Sequence, residues 1–210
     1  ELVANARVVR LPLVTRFRGV VEREAVLLRG PSGWGEFSPF LEYDDAEASA
    51  WLEAAIEAAW GEQTPALRSE VPVNATLPTV PMERIREVLE RFGAVRTVKV
   101  KVADAAETLA EDVARVREVR RILGAAGRIR VDANGGWNVD QAERAAHELA
   151  PFDLEYLEQP CATVAELAEL RERLRDWQLP IAADESVRKA DDPLAVARAG
   201  AADLLVVKVQ

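Results

Sequence analysis

The sequence predicts an α/β chain in which a small α+β segment is followed by consecutive strand-helix units of the parallel-barrel kind. Three observations carry this reading. From Val71 onward, short apolar and β-branched runs alternate with helical periodicity, six strands against five helices. Four of those runs close on a charged residue, Asp132, Glu158, Asp184 and Lys208, at intervals of 26, 26 and 24 residues. That interval is the length of one strand, one helix and two loops. The run Thr97-Val98-Lys99-Val100-Lys101-Val102 then puts Lys99 and Lys101 on one strand face and the valines on the other.

In chain order, residues 2–14 read as a strand, with Pro12 at an edge or an exit. Residues 15–24 hold Arg16, Arg18, Arg23 and a glycine without periodicity. They read as a loop, a mobile lid over an anionic substrate, with Arg18 as a candidate substrate contact. Residues 25–29 and 34–37 flank Gly30-Pro31-Ser32-Gly33, a hairpin turn. Asp44 or Asp45 can cap a helix carrying Ala48, Trp51, Leu52, Ala55, Ile56 and Ala59 at i, i+3, i+4 spacing, and Gly61 can end it. Residues 1–70 thus form one domain, closing on a polar linker at 63–70, and residues 71–210 form a second.

In the second domain the expected strands are 71–77, 97–102, 129–132, 154–158, 180–184 and 203–207. The helices between them are 82–92, one marked by Leu109, Val113, Val116, Ile122 and Leu123 and stopped by Gly124, 139–149, one opened by the capping box Thr163-Val164-Ala165-Glu166 and running to Leu174, and 193–199. Parallel strands joined by crossover helices gather their C-terminal ends on one face, where barrel enzymes keep their chemistry. A doubly wound sheet uses the same alternation, but its G-x-G-x-x-G or G-x-x-x-x-G-K-[ST] loop is missing. The expected fold is therefore a TIM-type (β/α) barrel truncated after strand six. Met82 is the only methionine and strands seven and eight are absent, so the reading expects a longer natural chain. It also expects an open sheet edge at 203–207, and aggregation of the 210 residues expressed alone.

Composition bounds the function. A net charge of -9 offers no basic field for nucleic acid or an anionic membrane, so neither partner is expected. No apolar run approaches the roughly 20 residues of a membrane span. A single cysteine, Cys161, suits a reducing compartment, and the cytoplasm is the expected location.

His147 and Cys161 are the only residues of their types, which leaves no nitrogen or sulfur metal site. Three carboxylates select a hard cation, Mg²⁺ first and Mn²⁺ second. A lysine of ordinary pKa, about 10.4, becomes a base when neighbouring positive charge brings it to about 7 or 8. For Lys101 that charge would come from Lys99, Lys208 and the metal. Such a site removes the proton beside a carboxylate while positive charge stabilises the enediolate, so the expected partner is a small anionic carboxylate. Blander readings exist for each part. Lys-Val-Lys suits an edge strand guarded against aggregation, and an acid after a strand can open a loop or cap a helix. Five such features in phase favour a site.

Lys99-Val100-Lys101, Asp132-Ala133-Asn134, Glu158-Gln159-Pro160, Ala183-Asp184-Glu185-Ser186 and Lys208 together resemble the motif set of the enolase superfamily, muconate-lactonizing subgroup. A lysine base beside Mg²⁺ is a pattern already known from that superfamily. The resemblance implies a capping domain ahead of a modified barrel, with Asp132, Glu158 and Asp184 as metal ligands. It implies Lys101 as the acid/base residue, Lys208 as a cation facing the intermediate from the other side, and Lys99 and Asn134 in support. Within the subgroup, Trp34-Gly35-Glu36-Phe37-Ser38-Pro39 and the shortened capping segment most resemble the actinobacterial branch that makes o-succinylbenzoate for menaquinone. The implied activity is that of a carbon-oxygen lyase, the syn dehydration of 2-succinyl-6-hydroxy-2,4-cyclohexadiene-1-carboxylate. Racemisation of N-succinylamino acids or epimerisation of dipeptides would use the same residues, with the two lysines as opposed bases. A non-catalytic, metal-stabilised binding domain is the alternative of a different class, against which stands the expense of keeping buried charges without a function. The expected geometry has oxygens of Asp132, Glu158 and Asp184 at about 2.0–2.2 Å from one Mg²⁺. Glu185 should then point away, by strand alternation.

Overall fold

The computed structural model describes residues 2–17, 20–62, 64–188 and 192–208. The chain divides into two compact units, Glu1–Val71 with Lys208–Gln210, and Pro72–Val207.

In the first unit β1 (Ala6–Phe17), β2 (Val20–Arg29) and β3 (Trp34–Phe37) form an antiparallel sheet in that order, followed by α1 (Asp45–Trp60). The segment read from sequence as a loop is strand instead: Thr15 to Phe17 belong to β1, and Val20 to Glu24 to β2. Its charged residues disguise a run rich in β-formers, and its acids find a cross-strand partner: Arg10 faces Glu24 in register and bridges Glu22 and Glu24. Arg23 stacks over Phe40 and donates to the Ser38 and Pro39 carbonyls. Arg18 lies outside the described residues. The Asp44 carboxylate caps α1 by accepting from the Glu47 N–H at 2.8 Å.

The buried stripe of α1 is narrower than its periodicity suggests. Ala55 and Ala59 pack with Leu28, while Leu52 stays exposed. Small residues are needed there because the sheet comes close. A Cβ at Gly35 would lie 1.8 Å from the Ala55 carbonyl oxygen, a backbone atom that cannot swing aside. Gly35→Ala is expected to cost about 1–3 kcal/mol through this overpacking. Denaturant melting checks it, and an unchanged midpoint would refute the close approach.

In the second unit six strands are hydrogen-bonded in sequence order, every neighbouring pair parallel. They are β4 (Ala75–Leu77), β5 (Thr97–Lys101), β6 (Arg128–Asp132), β7 (Leu154–Glu158), β8 (Ile181–Ala183) and β9 (Leu204–Leu205). The order never reverses, so the sheet lacks the switch point of a doubly wound fold. Helices α2 (Ile85–Glu90), α3 (Leu109–Leu123), α4 (Val139–Leu149), α5 (Val164–Arg173), α6 (Glu185–Arg188) and α7 (Ala195–Arg198) connect them. Capping boxes open three: Thr108 with Glu111, Asn138 with Gln141, and Thr163 with Glu166. The expected strand 71–77 shrinks to β4, because Pro72 has no N–H to donate and Val71 and Val73 remain exposed. The helix expected at 193–199 shortens to α7, and α6 is a further short helix that was not expected. β5 lies between β4 and β6, so Lys-Val-Lys is not an edge strand. Its alternation is as expected, with Val98 and Val100 fully buried in a core that includes Ile129, Val131, Leu157, Leu167 and Ile181. Among the described residues no helix is long and apolar enough to cross a membrane.

Candidate active site

Parallel pairing lines up the charged strand ends. Lys101 stands opposite Asp132, Asp132 opposite Glu158, and Glu158 opposite Ala182, two residues before Asp184. The side chains of Asp132 and Glu158 are essentially inaccessible, and Lys99 and Lys101 are largely covered. Lys99 Nζ donates to Glu158 Oε1 at 2.9 Å and pairs with Asp132 Oδ2 at 3.1 Å. Lys101 Nζ donates to Asp132 Oδ2 at 2.5 Å and to Asn134 Oδ1 at 2.8 Å. Asn134 in turn donates its backbone N–H to Asp132 Oδ1 and its amide to Glu185 Oε1. Arg188 donates to Asp184 Oδ1 and Glu185 Oε1, each at 3.2 Å.

Burial dominates the electrostatics and the neighbours decide its outcome. Burial pushes Asp132 up, but Lys101 and Lys99 outweigh it and hold the carboxyl below its ordinary value. For Lys99 burial works downward, and Asp132 and Glu158 reverse it, so the ammonium is held well above its ordinary value. Glu158 is pushed up to about 7, by burial first and by the Asp132 charge second, with Lys99 only partly offsetting them.

The loops after the strands are tightly specified. Ala103, Asn134 and Gln159 all have positive φ, at 62°, 47° and 38°, within two residues of the end of β5, β6 or β7. Such conformations persist only where surrounding contacts enforce them. At Gln159 the enforcing contacts are visible. Its buried amide donates to the Cys161 carbonyl and Ser186 Oγ, and its Oε1 accepts from the backbone N–H groups of Asp184 and Ser186. It thus ties the loop after β7 to the start of α6. Gln159 and Arg188 belong to this cluster and the sequence reading assigned neither a role. Only their closeness in sequence to Glu158 and Asp184 could have signalled them.

Asp184 is buried, as expected, but Glu185 does not point away from the cluster. The alternation argument fails because β8 stops at Ala183 and α6 begins at Glu185, so the two acids are not consecutive strand residues. Lys208 has an exposed side chain and groups with the first unit.

Among the described residues no three His, Cys, Asp or Glu side chains already stand in metal-holding geometry, since lysines and Arg188 engage the carboxylates. The donor set nevertheless fits a hard cation. Glu158 Oε2 and Glu185 Oε2 are buried and accept no hydrogen bond among the described residues. A carboxylate oxygen stripped of both water and donors is costly to keep unless a cation answers it.

Residues 82–210 match the family described as Enolase C-terminal domain-like, and residues 8–59 match Enolase N-terminal domain-like. The chain belongs to the enolase superfamily. Among curated members it is 57% identical to an o-succinylbenzoate synthase of Mycobacterium ulcerans over all of its 210 residues, which span 62% of that protein. It therefore covers a little over three-fifths of the length of that relative. Among solved superfamily structures, a muconate lactonizing enzyme of Pseudomonas fluorescens complexed with muconolactone superimposes with a TM-score of 0.75 at 23% identity, over 98% of this chain and 71% of that one. A racemase of Streptomyces coelicolor with bound magnesium superimposes at 0.63 and 21% identity, over 95% of this chain and 75% of that one. At such identities the likeness concerns the fold.

Proposed function

We propose that this enolase-superfamily chain works as an o-succinylbenzoate synthase, a Mg²⁺-dependent lyase that dehydrates 2-succinyl-6-hydroxy-2,4-cyclohexadiene-1-carboxylate in the cytoplasm, with no nucleic-acid or membrane partner. The observation that carries the reading is the amine of Lys101 set against buried Asp132, which stands in strand register with buried Glu158. Identity with o-succinylbenzoate synthases along the whole chain supports the choice of substrate. The six parallel strands in sequence order support a (β/α) barrel over residues 71–210, with residues 1–70 as its capping domain.

Asp132, Glu158 and Asp184 would hold Mg²⁺, or Mn²⁺ in second place. Bound there, the cation supplies positive charge beside the substrate carboxylate as its α-proton leaves. Lys101, as the free amine, takes that proton. The ammonium so formed returns a proton to the departing hydroxyl, and one residue on one face serves both steps, as a syn elimination requires. Asp132 and Asn134 each accept a hydrogen bond from Nζ and so fix where the amine lies. Lys99 balances the carboxylates and Asn134 orients Lys101. Lys208 would contribute a second cation, as the motif resemblance implies.

The full-length protein, assayed beside N-succinylamino acids and dipeptides, is expected to dehydrate the cyclohexadiene carboxylate best. That turnover should vanish on chelation and return with Mg²⁺. Preferred racemisation of an N-succinylamino acid or epimerisation of a dipeptide would replace the dehydratase reading. Turnover indifferent to chelator would remove the metal from it.

A further inference from the structure

Helix α3 packs Val113, Val116 and Val119 into the core, yet Asp112 and Arg115 on the same helix are each only 2% exposed. Arg115 Nη1 donates to Asp112 Oδ1 at 2.9 Å and to the Lys101 carbonyl at 3.2 Å, and Nη2 engages Glu107. Asp112 Oδ2 accepts the Ala103 N–H at 3.0 Å, and the Val102 N–H donates to the Asp132 carbonyl at 3.1 Å. Three consecutive residues are therefore pinned where β5 ends, and the last of them holds a positive φ that alanine resists. Stability alone would favour an apolar pair at 112 and 115, because a buried ion pair seldom outperforms one. Burial pushes Asp112 above its ordinary value even though the Ala103 N–H and Arg115 pull the other way. Arg115 Nε, moreover, has no hydrogen-bond partner among the described residues. The guanidinium is placed to reach the end of β5, at the expense of its own satisfaction.

We propose that Arg115 and Asp112 are positioning residues for Lys101: they hold the backbone on which its side chain swings, and so set where the amine meets the substrate α-carbon. This rests on the reading of Lys101 as the acid/base residue. An amine displaced by about 1 Å loses on the order of 100-fold in rate.

The test uses the full-length protein with Mg²⁺ and the cyclohexadiene carboxylate. Arg115→Lys keeps a cation beside Asp112 and Glu107 but loses the planar fork whose Nη1 serves Asp112 and the Lys101 carbonyl together while Nη2 engages Glu107. It is expected to lower kcat about tenfold while KM and Mg²⁺ affinity stay within about twofold. Arg115→Met should lower kcat further, by about 100-fold. Where that variant unfolds, the lysine variant still decides. Full kcat in Arg115→Lys overturns the proposal, as does a loss of kcat that merely follows the unfolded fraction. If Lys101→Ala itself keeps turnover, the reading of Lys101 falls and takes this inference with it. If Lys101→Ala is inactive while both Arg115 variants keep full kcat, this inference alone falls.

Discussion

Lys101→Ala is expected to lower turnover by roughly 10⁴-fold while leaving Mg²⁺ binding intact or tighter. The two halves of this expectation have separate causes. Turnover falls because the group that takes and returns the proton is gone, and no neighbour replaces it: Lys99 is committed to Glu158 and Asp132. Binding does not fall, because Lys101 is a competitor for the carboxylate and not a ligand. Its Nζ lies 2.5 Å from Asp132 Oδ2, an oxygen assigned to the cation, and removing it leaves that charge less compensated. Steady-state kinetics beside a calorimetric Mg²⁺ titration of the same preparation check both halves. Retained turnover would remove Lys101 from the proton transfer, and lost Mg²⁺ binding would mean that it holds the site together instead.

Glu158→Gln should act in the opposite sense on binding, with Mg²⁺ affinity falling by at least about 100-fold and activity with it. The same change should not destabilise the metal-free protein at neutral pH. The Glu158 carboxyl rises on folding from 4.5 to about 7, because burial and the Asp132 charge both disfavour its ionised form. The folded state therefore binds this proton more readily than the unfolded state does. By linkage, stability falls as pH rises from about 4.5 through about 7. Glutamine has the same shape and no charge to bury, so in chelator the variant should melt at least as high as the parent at pH 8 and lose that part of the pH dependence. Melting curves between pH 5 and 8, with and without Mg²⁺, read both effects. If Mg²⁺ raises the melting point of Glu158→Gln as much as that of the parent, Glu158 is not a ligand.

Much of this architecture is legible in the residues because its signals are local. Alternation in Thr97–Lys101 separates lysines from valines without reference to anything else in the chain. Leu109–Leu123, with Thr108 capping before it and Gly124 at positive φ after it, can be bounded from its own letters. The bounds of Val139–Leu149 and Leu154–Glu158 follow in the same way. The ends of β1 and β2 at 15–17 and 20–24 were illegible for the complementary reason. A charged run such as Glu22-Arg23-Glu24 looks like a loop until the strand facing it is known, and pairing is not a local property.

The candidate site divides along the same line. Lys101, Asp132, Glu158 and Asp184 could be named as candidates from sequence, because each follows or ends a strand-like run, whereas Glu185 and Arg188 could not. Their mutual arrangement could not be named, since it depends on groups brought together from far apart in the chain. Gln159 acquires a role only when residues 25 and 27 positions away come within hydrogen-bond reach of one amide. Glu185 joins the cluster because β8 gives way to α6 at Ala183, where the two-residue period ends. Asp112 and Arg115 carry no signal of their own in the sequence, and only packing shows both buried beneath the end of β5. The sequence by itself determined the strand-helix rhythm and which side chains carry charge to the strand ends, since both follow from backbone periodicity. Tertiary structure alone decided which of those charges face one another and what holds them there, because burial and long-range hydrogen bonds belong to the packed chain.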